Sequence, residues 1–484
     1  METSSTDAET GDFAGDLAGL SRRLREGSTT AVKLTAAALE RIEAGNPRLN
    51  AVVTLLADEA MRDAEIADAE LRAGHWRGPL HGIPFGVKDI FDTAGIRTTA
   101  GSAFFRDRVP DEDAEAVRRV RGAGAVVIGK LHTHEFAFGP TGDASCFGPV
   151  RNPHDPGRMA GGSSGGSAVA VATGMCAAAL GSDSGGSVRI PAALCGVVGM
   201  KPTYGRISRH GVFPLSWNLD HIGPLTRTVG DNARVLTVLC GYDERDPGSV
   251  RRDPEDFTRE LDLGVRGLTI GVPDAYYFDH LDPDVDRRVR AAVSALADLG
   301  ATVRPVTVPG LADLAALRDA HRTVISVEAY AVHRQRLDAD DAQELFDPTV
   351  RQRLVDGSAI RGWEYTEALR LLWESRRTFT RLLEDVDALA TPSVAVTAPP
   401  LGQVETEAAG VEETVRWALT RLAVPTNVTG TPSLSLPCGF SRDGLPVGLQ
   451  LSGRAWSEAR LYRIARALEV GPDSTAVDAR FTQD

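Results

Sequence analysis

Two glycine-serine clusters, Gly161-Gly162-Ser163-Ser164-Gly165-Gly166-Ser167 and Gly181-Ser182-Asp183-Ser184-Gly185-Gly186-Ser187, flank one short apolar run. No other stretch of the chain constrains the fold as tightly. Paired glycines let consecutive N–H groups converge on one point, and the hydroxyls beside them leave reactive groups there. The run between the clusters, residues 168–180, is broken by Thr173 and Gly174 and is too short to span a bilayer, so a buried helix is expected.

An anion cradle is one use for such loops. The first cluster lacks the Gly-Lys-Ser/Thr ending of a P-loop, a GxGxxG opening after a strand and an acidic ribose partner, which argues against a nucleotide. In the second cluster, Gly185 and Gly186 stand immediately before Ser187, followed by Val188-Arg189-Ile190-Pro191. That order suits an oxyanion hole with a nucleophilic hydroxyl beside it. A Ser-His-Asp hydrolase would carry a G-x-S-x-G elbow and a late histidine; neither is present, and the last histidine is His333. The alternative base is Lys88, in the apolar run Gly82-Ile83-Pro84-Phe85-Gly86-Val87-Lys88-Asp89. Burial lowers a lysine's pKa, and a neutral amine can take a proton from a hydroxyl. The competing reading is an ion pair with a carboxylate such as Asp89.

The remaining pattern is α/β. Residues 16–74 read as helical: Ser28 or Thr29 caps a helix with Val32, Leu39 and Ile42 on its apolar face, Asn46-Pro47 ends it, and a strand over 51–56 precedes a charged amphipathic helix closed by Gly74. Between 80 and 237, short strands such as 126–128 alternate with helices and Gly-rich turns, as in a sheet covered on both faces. Residues 251–423 carry long charged helices with strands at 268–272, 302–308 and 388–391, and the chain closes with strands at 434–437 and 447–451 and a helix over 457–469.

Composition excludes some partners. The net charge of −13 is spread along the 484 residues, which disfavours a nucleic-acid groove or an anionic membrane as the main partner. The acidic first 15 residues have no apolar core and read as a flexible leader. Cys146, Cys176, Cys195, Cys240 and Cys438 are odd in number and lack a CxxC pair, which suits reduced thiols in a cytoplasmic protein, each a small core hydrophobe. His132, His134 and Glu135 lack a further ligand at suitable spacing and are expected to be structural; no metal is called for.

Together these segments resemble the amidase signature family: the GGSSGGS run, the D-x-G-G-S-V-R-x-P run, the G-I-P-F-x-V-K-D strand and Arg151-Asn152-Pro153. The intervals of 75 residues from Lys88 to Ser163 and 24 from Ser163 to Ser187 also match that family's pattern. The resemblance runs from about Leu17 to Glu469. It implies one α/β domain over 16–470, with helical part 16–74, catalytic core 75–240, variable part 251–423, closing part 432–469 and a tail over 471–484. The fold would be a large mixed sheet flanked on both faces by helices. It implies Ser187 as nucleophile, Ser163 as bridging hydroxyl on a cis peptide after Gly162, and Lys88 as base. The N–H groups of Ser184, Gly185, Gly186 and Ser187 would bind the oxyanion, and Asp183 and Arg189 would hold the loop. Ala160 stands where the family commonly has Pro, and Ser184 where it often has Thr or Ile.

By the same resemblance Ala137, Phe138, Gly139, Thr141 and Gly162 would line the substrate pocket, a partly aromatic wall with few charges that suits a neutral acyl group. The implied activity is hydrolysis of a small-molecule carboxylic amide through an acyl-enzyme, with esters, anilides or carbamates also in range and no cofactor. Homodimers are common in the family. Two rival readings remain: the glutaminase-type component of a tRNA-dependent amidotransferase, and a hydrolase of ureido or carbamoyl acids, whose pocket would need fixed cations.

Overall fold

A computed structural model describes residues 15–307 and 314–471, so most of the expected leader and tail lies outside the described residues. Its strands are β1 (Val52–Leu55), β2 (Pro84–Lys88), β3 (Val126–Leu131), β4 (Ala178–Asp183), β5 (Val198–Lys201), β6 (His221–Thr226), β7 (Thr269–Pro273) and β8 (Thr302–Val306). They continue with β9 (Ala388–Pro392), β10 (Glu405–Ala408), β11 (Val411–Thr414), β12 (Ser433–Phe440) and β13 (Pro446–Ser452). Eleven of them form one sheet in the order β1-β3-β2-β4-β6-β5-β12-β13-β9-β7-β8, and β10 pairs with β11 as a separate hairpin.

The sheet is mixed. β3, β2 and β4 are parallel neighbours, as are β8, β7 and β9, whereas the pairings among β4, β6, β5, β12, β13 and β9 are antiparallel. Successive side chains on a strand point to opposite faces, so a strand buried at every position is covered on both sides. β2, β3, β4, β6, β9 and β13 are all of this kind. The helices Gly165–Ala172, Arg189–Cys195, Val229–Leu239 and Pro283–Asp298 are among those packed on them. This is the mixed, doubly covered sheet that the sequence implies.

Several local expectations need correction. The first long helix is Ala31–Leu49, capped by Thr30 rather than Ser28 or Thr29, and its buried face is Ala31, Leu34, Ala38 and Ile42. Val32 and Leu39 are only half-buried. The helix continues through Asn46-Pro47 because the Asn46 amide bonds the backbone of Ala51 and Val52, tying the last turn to the chain beyond it, and the stop comes at Asn50 with φ 54°. The apolar run 168–180 is not one helix. It is the end of helix Gly165–Ala172, a turn at Gly174 with φ 69°, and then β4. A run buried on all sides has no periodicity, so only the Thr-Gly break separates the two elements. Among the cysteines, all five are free, but Cys146 is exposed rather than in the core.

Parallel strands deliver their carboxyl ends to one edge, where α/β proteins build their sites. β3, β2 and β4 bring together the segment after Leu131, Lys88 itself and the loop after Asp183. β4 is held on its other side by β6, with Gly181 opposite Gly223. A Cβ at Gly223 would lie 1.8 Å from the Met200 carbonyl oxygen, so no side chain fits there. Gly223→Ala is expected to lower stability by about 1–3 kcal/mol through a shift in strand spacing. The midpoint of a denaturant titration checks this; an unchanged midpoint contradicts it.

Candidate active site

Lys88 is the last residue of β2, and its side chain is fully buried. Its Nζ bonds three hydroxyls: Ser163 Oγ at 2.7 Å, Ser182 Oγ at 2.9 Å and Ser164 Oγ at 3.0 Å. None of the described carboxylates lies within 4.0 Å of it. Asp89, the sequence-adjacent candidate, instead pairs with Lys130 at 3.7 Å and accepts bonds from Thr99. Burial pushes the Lys88 ammonium down from 10.5 to about 7, against the weaker opposing pull of Asp183 and Asp220. The amine is therefore neutral in a large share of molecules at pH 7.

Ser163 and Ser164 lie just ahead of helix Gly165–Ala172, and the Gly162–Ser163 peptide is cis. The loop is knit into its neighbours by backbone bonds from His134 N to the Ser163 carbonyl and from Ser164 N to the Ser187 carbonyl. Of Lys88, Ser163 and Ser187, only Ser187, at 8% exposure, is reached by solvent. A nucleophile has to be reachable, and a proton relay does not.

The loop carrying Ser187 is held by a buried ion pair. Asp183 receives Arg189 Nε at 3.0 Å and Nη2 at 2.9 Å, and Asn427 Nδ2 at 2.8 Å. Arg189 reaches further, to the Ala423 carbonyl, Thr426, Gln450 and Asn427. The guanidinium and the amide hold the Asp183 carboxyl well below the usual carboxylate range despite its burial. One expectation for the oxyanion site fails here. The Gly186 N–H points at Asp183 Oδ1, 2.8 Å away, and so is already committed. The N–H groups of Ser184, Gly185 and Ser187 have no acceptor among the described residues and are free to bind an oxyanion. Gly186 has φ 117°, which only glycine adopts readily, so its role is the turn itself.

The segment expected to line the pocket does approach the first cluster. A Cβ on Gly162 would meet the Gly139 carbonyl at 2.9 Å, and one on Gly139 would strike the His134 ring at 2.1 Å. Ala137 lines a cleft of about 580 Å³ together with Ser184 and Phe213. Thr141 donates to Asp143 at 2.5 Å. The wall is not poor in charge, however: the Arg353 and Arg416 guanidinia lie 5.7 and 6.0 Å from the Phe138 ring centre. His132 bonds the Gly148 carbonyl at 2.8 Å, and Glu135 accepts from Asp347 N at 2.9 Å, its carboxyl raised to about 7 by burial. Among the described residues no three His, Cys, Asp or Glu side chains gather as a metal-binding group.

Three residues that sequence reasoning passed over complete the surroundings. Half-buried Asp220 accepts Ser184 Oγ at 2.5 Å and the N–H groups of Leu215 and Ser216 at 2.9 Å. His321 has its Nε2 2.9 Å from the Ser184 carbonyl, and Asn427 bonds Asp183. His321 and Asn427 lie far along the chain with no local motif; Asp220, just before β6, carried no signal beyond its position.

The family model for Amidase matches residues 33–462. This chain belongs to the amidase family. An amidase from Pseudomonas putida is 41% identical over 94% of this chain and 95% of its own length. The A-type component of the glutamyl-tRNA(Gln) amidotransferase of Synechococcus sp. (strain RCC307) is 38% identical over 94% of this chain and 96% of its own. The solved native peptide amidase from Stenotrophomonas maltophilia is similar with a TM-score of 0.82 at 34% identity, covering 95% of this chain and 97% of that one.

For an amidase with this geometry the pH dependence has a definite sign. Lys88 takes up a proton below about 7 and loses it above, and only the neutral amine accepts one from a hydroxyl. The kcat/KM of this amidase is expected to fall as pH drops through about 7 and to level off above it. A pH–rate profile checks this; a flat profile across that range contradicts it.

Proposed function

We propose that this chain is a serine amidohydrolase that cleaves a small carboxylic amide, with Ser187 as nucleophile, Ser163 as proton relay and Lys88 as base. The observation that carries the reading is the buried Lys88 amine, bonded to Ser163 at 2.7 Å and without a carboxylate partner among the described residues. A lysine so placed costs stability as an ion and is useful as a base.

In this reading the Ser187 hydroxyl attacks the amide carbonyl while its proton passes to Ser163, whose own proton moves to Lys88. The N–H groups of Ser184, Gly185 and Ser187 receive the negative oxygen, and each such donor is worth on the order of 100-fold or more in rate. Ser163 and Lys88 then return the proton to the leaving amine, and water attacks the acyl-enzyme by the same relay. Asp183 and Arg189 keep the loop in place without touching substrate. The strands from Val52 to Ser452 that share one sheet support treating residues 16–470 as a single catalytic unit. The five free thiols support a reducing, cytoplasmic setting.

The likeness to the A-type components of amidotransferases favours a second reading, a glutaminase working with partner chains. A substrate panel separates the two: benzamide, hexanamide, an anilide, a p-nitrophenyl ester, an aryl carbamate and glutamine. Wild type is expected to cleave at least one of the first five. Ser187→Ala is expected to lose at least about a thousandfold in kcat, and Ser163→Ala and Lys88→Met about 100- to 10,000-fold, with circular dichroism unchanged. Full activity in Ser187→Ala contradicts the assignment, and cleavage of glutamine alone selects the second reading.

A further inference from the structure

Ser184 is gripped from two sides. Its hydroxyl donates to Asp220 at 2.5 Å, and its carbonyl oxygen lies 2.9 Å from His321 Nε2. A carbonyl oxygen can only accept, so Nε2 is the nitrogen that carries the proton. Burial foremost lowers the His321 pKa to about 4, which keeps the ring neutral at pH 7. The ring also packs on the loop: a Cβ on Gly185 would meet its Cε1 at 3.1 Å and its Nε2 at 3.2 Å.

His321 stands on the helix Leu314–Leu337, 137 residues beyond Ser184. Two helical turns further on, Glu328 shares that face and is buried. Its carboxylate accepts the Ser216 hydroxyl, the Asn218 amide and the Tyr365 hydroxyl. The Ser216 N–H in turn donates to Asp220. One helix therefore holds Ser184 twice, directly through His321 and indirectly through Glu328, the Ser216 segment and Asp220.

The aim of an oxyanion donor follows from this grip. Among the described residues only the Gly162–Ser163 peptide is cis, so the Ser184–Gly185 peptide is trans. In a trans peptide the carbonyl and the N–H point in opposite directions. A donor fixed on the Ser184 carbonyl thus fixes the aim of the Gly185 N–H, which has no acceptor among the described residues. A hydrogen bond to the carbonyl also polarises the peptide and strengthens its N–H as a donor.

We propose that His321 is a positioning residue of the oxyanion site, aiming and polarising the Gly185 N–H through the Ser184 carbonyl. This deepens the amidohydrolase reading and rests on it. The rival role is contact with substrate, since His321 also lines a cleft of about 750 Å³. Loss of a substrate contact raises KM. Loss of aim in an oxyanion donor lowers kcat, because the negative oxygen exists only once attack is under way.

The test compares wild type, His321→Phe and His321→Gln on an amide that wild type cleaves, with circular dichroism confirming the fold. Phe keeps a ring without the donor, and the Gln amide restores an N–H. Phenylboronic acid affinity is measured by calorimetry on the same proteins and on Ser187→Ala. Boron takes up the Ser187 oxygen, whose proton passes through Ser163 to Lys88, and the tetrahedral adduct carries the negative charge of an oxyanion. His321→Phe is expected to lower kcat by about ten- to hundredfold with KM within about twofold, and to weaken phenylboronic acid by about tenfold or more. His321→Gln is expected to recover part of both. Should no amide be cleaved while phenylboronic acid binding depends on both Ser187 and His321, the positioning role stands and the amide reading fails. The inference alone is overturned if wild type cleaves an amide and His321→Phe matches its kcat, loses only through KM, or is not improved on by His321→Gln. If neither an amide nor phenylboronic acid engages Ser187, the hydrolase reading and the inference fall together.

Discussion

The structure turns on a fully buried lysine amine that has no carboxylate partner among the described residues. Moving the Lys88 pKa from 10.5 to about 7 corresponds to roughly 5 kcal/mol set against the charged form. Such a cost is sustained because the two nearby carboxylates are occupied elsewhere. Asp183 is taken by Arg189 and Asn427, and Asp220 by Ser184 and two backbone N–H groups. Arg189 binds the Asp183 carboxylate and, through Asn427, Thr426, Gln450 and the Ala423 carbonyl, holds the serine loop. Three serine hydroxyls satisfy the amine instead, and hydroxyls, unlike carboxylates, tolerate either protonation state of their neighbour.

The topology makes this arrangement available. Three parallel strands end at one edge, and each contributes a different part: β3 the segment running to Phe138 and Gly139, β2 the lysine, and β4 the loop that carries Ser187. The glycines of the first cluster then allow the Ser163 loop to pass within contact of the β3 segment, since side chains at Gly162 or Gly166 would collide with backbone there. The antiparallel strands on the far side of β4 bring Gln450 and the helix Val424–Thr429 to Arg189, so the closing part of the chain locks the loop formed by the middle part.

Much of this was legible in the sequence where local order and function coincide. The strand ending at Lys88 and the hydroxyl of Ser187 beside paired glycines follow from short motifs whose glycines and hydroxyls have few other uses, while the loop-holding role of Asp183 and Arg189 came with the family resemblance. The misreadings have physical causes. Residues 168–180 are apolar throughout, and a fully buried helix and a fully buried strand look alike when no polar face marks the period. The Gly186 N–H was counted among the oxyanion donors because a Gly-Gly-Ser run exposes N–H groups, yet the Asp183 carboxylate three residues earlier claims it. The charged side of the pocket was invisible because Arg353 and Arg416 stand more than 200 residues from Phe138 and sit in helical stretches where arginine is ordinary. Contacts of that separation are set by how helices lie over the sheet, which no local pattern encodes.

The central claim is that Ser187 carries the acyl group between the two halves of the reaction, and the most direct measurement is its capture. Wild type mixed with a p-nitrophenyl ester, quenched in acid within the first turnover and digested, should yield by mass spectrometry one acyl adduct. That adduct should sit on the peptide containing Ser187 and be absent from Ser187→Ala. An adduct on Ser163 or Lys88, or the same labelling in Ser187→Ala, would contradict the account.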